Sequence, residues 1–149
     1  MNTPSPITSS LNTRTSGRVL VVDDEPHILA VARTILESQS FDVVTCDSGA
    51  AALELVRQGL QTDRRFGVII LDLTMPSGMS GFEVLEGIQS IDTDVAVIAC
   101  SGYFQDDALD LCQAIGFADV LNKPYALEHL CSMVRRHLVR DRSTNTSPA

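Results

Sequence analysis

Asp72 closes the run VIILDLTMPSG, in which four apolar residues, Val68 to Leu71, lead into a single acid and then into a loop with Pro76 and Gly78. A buried strand that ends this way delivers a carboxylate to the sheet edge, where it can act as a nucleophile or a metal ligand. Matching groups stand elsewhere: the acidic pair Asp23 and Asp24, the hydroxyl of Ser101 and the ammonium of Lys123, each at or just past the end of its own apolar run. If those runs are adjacent strands, three carboxylates and one ammonium converge. Like charges near 4 Å repel by roughly 4 kcal/mol per pair at an effective dielectric of about 20, so the cluster calls for a divalent cation. All-oxygen ligands with open water positions suit Mg²⁺, with Mn²⁺ as a substitute.

That points to phosphoryl chemistry. A carboxylate takes a phosphoryl group as an acyl phosphate when a metal and a fixed cation neutralise the charge on the transferring group. In this reading Asp72 attacks. Asp24, Asp72 and the main-chain carbonyl of Thr74 hold the metal, and Asp23 helps directly or through water. Lys123 pairs with one phosphoryl oxygen and Ser101 donates to another. Taken singly, each has a structural reading: DDEP opens a helix, Ser101-Gly102 makes a turn, Lys123-Pro124 is a surface dipeptide. Their joint placement at strand ends makes one pocket.

The elements that must position these groups are legible as strand and helix in alternation. The strands are VLVVD from Val19, FDVVTC from Phe41, GVIILD from Gly67, VAVIACS from Val95 and ADVLN from Ala118. Several are continuous Val- and Ile-rich runs, as in strands buried on both faces of a parallel sheet. Helical stripes follow: Ile28, Val31, Ala32 and Ile35; Ala52, Leu53, Val56 and Leu60, opened by Asp47-Ser48; Phe82 to Ile91; Ala108, Leu111, Cys112 and Ile115, closed by Gly116; and Leu127, Leu130, Cys131 and Val134. Arg135, Arg136 and Arg140 favour the C-terminal end of the last helix. Five β-then-α units predict a three-layer α/β sandwich around a parallel sheet.

Residues 1–17 are rich in Ser, Thr, Pro and Asn and read as a disordered arm, as does the tail 141–149; a single domain spans 18–140. The net charge of −8 lacks the basic stripe that nucleic-acid binding needs. The four cysteines form no CxxC pair and read as reduced apolar residues of a cytoplasmic protein. No apolar run approaches the roughly 18 residues of a membrane span, and the segment MNTPSPITSSLNTRTSG lacks the apolar core of a signal peptide. His27, His129 and His137 are expected to face solvent.

The segments VLVVDDEP, VIILDLTMPSGMSG, IACSGY and LNKPY, in this order, resemble the receiver domain of two-component response regulators from about Arg18 to Arg140. The resemblance implies a flavodoxin-like (βα)5 fold with strand order 2-1-3-4-5 and a cis Lys123–Pro124 peptide. It implies Mg²⁺-dependent phosphorylation of Asp72 by a histidine kinase or a histidine phosphotransfer protein. Asp23, Asp24, Asp72, Ser101 and Lys123 match the family's acidic pair, acceptor, switch hydroxyl and lysine. Phosphorylation would then change the face made by the fourth helix, fifth strand and fifth helix, which meets a downstream protein. Val120 departs from the aromatic that many members carry three residues before the lysine; Ser101 keeps the hydroxyl part of the switch. Tyr103 and Thr74 hold positions that tune access to the phosphoryl group. The chain ends about nine residues after the last predicted helix, so the expected output is a protein contact or onward transfer to a phosphotransfer protein, not DNA binding.

Three other readings stand beside it. A haloacid-dehalogenase-type phosphotransferase also uses an Asp nucleophile with Mg²⁺, but its second acid would fall where this chain has Thr74. A pseudo-receiver would keep the fold as a binding module without phosphorylation. An FMN binder of flavodoxin type would need a Gly-rich phosphate loop where this chain has DDEP.

Overall fold

The Val- and Ile-rich runs form strands covered on both faces. The computed structural model describes residues 17–76 and 78–146, with side chains as far as Leu138. Five strands, β1 (Arg18–Val22), β2 (Asp42–Cys46), β3 (Val68–Asp72), β4 (Ala96–Ser101) and β5 (Asp119–Asn122), alternate with five helices. These are α1 (Pro26–Ser38), α2 (Gly49–Gln61), α3 (Gly81–Ile91), α4 (Ala108–Ile115) and α5 (Leu127–Thr146). The strands pair in parallel in the order β2-β1-β3-β4-β5, the flavodoxin-like arrangement that the family resemblance implies.

Alternate residues of each strand face opposite layers. Val19, Val21, Val68, Ile70 and Ile98 pack against Ala32 and Leu36 of α1 and Leu130 and Val134 of α5. Leu20, Val22, Ile69, Leu71 and Val97 pack against Ala52 and Val56 of α2, Val84, Leu85 and Ile88 of α3, and Cys112 of α4. β3 lies at the centre, and all five of its residues are buried, Asp72 included. The polar end of this strand is therefore held by a rigid apolar body.

Local signals set the helix ends. Ser48 accepts the Ala51 N–H at 3.1 Å and caps α2. Ser80 and Glu83 form a reciprocal capping box at α3, with Glu83 N–H donating to Ser80 Oγ at 3.1 Å and Ser80 N–H to Glu83 Oε1 at 2.8 Å. Gly116 closes α4 at φ 132°, a conformation open to glycine.

The expectations for the end of α5 and for His137 need correction, and the stripes of α1 and α4 are only partly buried. α5 runs to Thr146, past the boundary expected at Arg140, so Arg135, Arg136 and Arg140 do not mark its end. A helix already held by packing extends by one hydrogen bond per residue, which modest propensity allows. On α1 the buried side chains are Ala32 and Leu36, whereas Val31 is exposed. On α4 only Cys112 is buried, while Leu111 and Ile115 face out, because this short helix lies beside the edge strand and meets the sheet over a narrow line. His137 is buried, not solvent-facing: its Nε2 lies 2.9 Å from Asp119 Oδ2, which Arg136 also reaches at 3.0 Å. Residues 1–16 of the arm expected over 1–17, and the end of the tail, 147–149, lie outside the described residues.

Candidate functional site

The C-terminal ends of β1, β3, β4 and β5 meet at one edge of the sheet, and the polar residues following these strands converge there. Asp23 follows β1 directly, its N–H donating to Cys46 O at 3.1 Å, and its side chain is buried. Asp72 is the last residue of β3, paired in register with Cys100 of β4. Carboxylate oxygens of Asp23, Asp24 and Asp72 all lie within 4.8 Å of one another, two of the residues buried and Asp24 exposed. Lys123 follows β5, anchored by its N–H to Ser101 O at 3.0 Å, and the Lys123–Pro124 peptide is cis.

Lys123 Nζ lies 2.8 Å from Asp23 Oδ2 and 3.4 Å from Asp72 Oδ2, with the lysine side chain 14% exposed. Burial works to push the ammonium down, but its hydrogen bond to Asp23 and the charges of Asp23 and Asp72 outweigh this and hold Lys123 above its usual range. Burial pushes Asp23 up; the Lys123 hydrogen bond and the Glu25 N–H oppose that rise, while Asp72 adds to it. A carboxylate held above its ordinary range beside another is an electrostatic demand for more positive charge.

The other oxygen of Asp72 is held locally. Thr74 donates to Oδ1 through its amide at 2.9 Å and its hydroxyl at 2.7 Å. This leaves Oδ2 as the oxygen facing Lys123. Ser101, buried at the end of β4, accepts the Tyr103 N–H at 3.0 Å, so its hydroxyl proton remains available for donation. Tyr103 is 83% exposed and, with Asp24, Glu25, Thr74, Pro76, Gly102 and Lys123, lines the cleft over the site. Val120 is half-buried against the core beneath, in register with Ala99.

The sequence reading placed Asp23, Asp24, Asp72, Ser101, Thr74 and Lys123 at one pocket, and the fold assembles all six there. It missed Glu25, whose Oε1 lies 3.5 Å from Lys123 Nζ. It used Thr74 for its carbonyl and for tuning access to the phosphoryl group, and missed the bonds that its amide and hydroxyl make to Asp72 Oδ1. The signal for Glu25 was its place between the acidic pair and Pro26, which reads equally as a helix start. Three carboxylates in reach of one another, two of them buried, fit an oxygen-seeking divalent ion such as Mg²⁺ in donor type.

A family model described as "Response regulator receiver domain" matches residues 19–135. The chain therefore belongs to the receiver domains of two-component response regulators. It is 36% identical over 133 residues to the transcriptional regulatory protein PrrA of Mycobacterium tuberculosis, a match that covers 89% of this chain and 54% of PrrA. It is 32% identical over 125 residues to the transcriptional regulatory protein KdpE of the same organism, covering 83% of this chain and 51% of that protein. The chain thus spans about half the length of these relatives. Among solved structures, a response regulator receiver domain protein from Clostridium thermocellum superposes with a TM-score of 0.74 at 28% identity, covering 85% of this chain and 98% of that one. The beryllofluoride-activated NtrC4 receiver domain also gives 0.74, at 27% identity, covering 85% and 99%.

Proposed function

We propose that the chain accepts a phosphoryl group on Asp72 from the phosphohistidine of a histidine kinase or phosphotransfer protein. The observation that carries this reading is a buried carboxylate with one oxygen bound by Thr74 and the other turned to Lys123, within 4.8 Å of two further carboxylates. Asp72 Oδ2 attacks phosphorus, the phosphorus–nitrogen bond of the donor breaks, and the electron pair leaves with the imidazole, which takes up a proton. An acyl phosphate on Asp72 results. Lys123 moves from carboxylate to phosphoryl oxygen, and Ser101 donates its hydroxyl proton to another. Asp23, Asp24 and Asp72 would hold Mg²⁺, which supplies charge neutralisation for the transferring group.

The role is that of a signalling phosphoacceptor, not of an enzyme turning over a substrate. Movement of Ser101 toward the new dianion would carry Tyr103 and the loop before α4 with it. The exposed Leu111 and Ile115 of α4 belong to the α4–β5–α5 face, where a downstream protein would read the change. Tyr103 and Thr74, at the mouth of the cleft, would set the lifetime of the phosphorylated state, so Tyr103→Ala and Thr74→Asn are expected to change the dephosphorylation rate.

Intact-mass spectrometry after incubation with acetyl phosphate tests the reading. A single phosphoryl adduct is expected with Mg²⁺, lost with EDTA and lost in Asp72→Asn. Absence of Mg²⁺ binding together with absence of an adduct would favour a module that works without phosphorylation.

A further inference from the structure

An ammonium has three protons to donate, and Lys123 has a carboxylate for each. Asp23 lies at 2.8 Å, Asp72 at 3.4 Å and Glu25 at 3.5 Å. An incoming phosphoryl oxygen must take one of these places. Asp23 is buried and fixed by the Glu25 N–H at 2.9 Å, and Asp72 is buried and fixed by Thr74. Glu25 is different: its side chain is 50% exposed, makes no capping bond at the head of α1 and stands apart from the three carboxylates grouped for a metal. It also lines the cleft with Lys123, where a phosphodonor would enter.

We infer that Glu25 is a positioning residue that occupies Lys123 until a phosphoryl oxygen displaces it, and that it thereby sets the rate at which Asp72 is phosphorylated. The inference rests on the phosphoacceptor reading above. No bond to Glu25 is made or broken; its carboxylate exchanges Lys123 for water. The residue acts as a brake because the ammonium must leave one partner before it can neutralise the transferring group.

The test compares wild type, Glu25→Gln and Glu25→Asp, each with Mg²⁺, for the rate of phosphorylation by acetyl phosphate and for binding of beryllofluoride, a phosphoryl stand-in. Gln removes the charge; Asp keeps it on a side chain one methylene shorter, which draws the carboxylate back from a contact that is already 3.5 Å long. Both variants are expected to speed phosphorylation by about two- to five-fold, the scale of releasing a solvent-exposed ion pair. In a Lys123→Ala background, Glu25→Gln is expected to give no further change in beryllofluoride binding. Acceleration by Gln alone, with Asp matching wild type, would assign the effect to cleft charge and overturn the role through Lys123. Equal rates in all three, with wild type phosphorylated, would overturn the inference and leave the phosphoacceptor reading intact. A wild type that takes neither acetyl phosphate's phosphoryl group nor beryllofluoride would overturn both.

Discussion

Burial raises Asp23 above the ordinary carboxylate value of 3.8, and the Asp72 charge adds to the rise, while Lys123 and the Glu25 N–H hold it back. An acid raised on folding binds its proton more tightly in the native state. Its stabilising contribution is therefore present in full below 3.8 and is lost as pH rises through the folded value. In EDTA, Asp23→Asn should remove that loss, leaving the variant at least as stable as wild type at pH 7, with a flatter stability profile above pH 4. Urea denaturation across pH checks this; a variant clearly less stable at pH 7 would show that the Lys123 contact outweighs the desolvation. The acids and the lysine were legible because each ends an apolar run in a parallel sheet, where strand ends gather on one edge. Glu25 was not, because its side chain enters the site only by reaching across to a lysine 98 residues away along the chain.

At the scale of elements, Asp119 at the start of β5 accepts from Val120 N–H at 2.9 Å through one oxygen and meets Arg136 and His137 of α5 through the other. This ties the edge strand to the last helix at the end of the sheet opposite the site. Asp119→Ala removes the acceptor shared by the Val120 N–H, Arg136 and His137 and is expected to cost about 1–3 kcal/mol. Chemical denaturation measures that loss, and phosphorylation of Asp72 under folding conditions should persist, since the change lies at the far end of β5. Periodicity identified the helices but did not settle which side they bury. On α1 the apolar stripe is wider than the contact, so Val31 faces out while Leu36 turns in. On α5 a histidine at a position expected to face solvent is inside, because the aspartate that accepts it comes from another element.

For the whole molecule, stability and site are linked because the carboxylates sit at the ends of the strands that make the core. A cation bound only by the native state stabilises by mass action, about 2.7 kcal/mol at one hundred times its Kd. Thermal unfolding with and without Mg²⁺ should therefore show a rise in Tm for wild type that Asp24→Asn and Asp72→Asn largely lose. Equal shifts in all three proteins would place the ion elsewhere. Among the described residues, no helix is long and apolar enough to cross a membrane.

The sequence by itself determined the five β–α units and which acids, hydroxyl and lysine end them. Apolar runs bounded by polar breaks encode strand ends locally, and right-handed β–α–β crossovers leave few ways to assemble them. It also carried the cap at Ser48, since a cap is made within a few residues of itself. Only the tertiary structure decided what long side chains touch. The contact of Glu25 with Lys123, the division of Asp72's two oxygens between Thr74 and Lys123, and the burial of His137 on Asp119 all depend on atoms placed within about 3.5 Å. Distances of that order between separate elements follow from packing the whole core, which no local pattern of residues specifies.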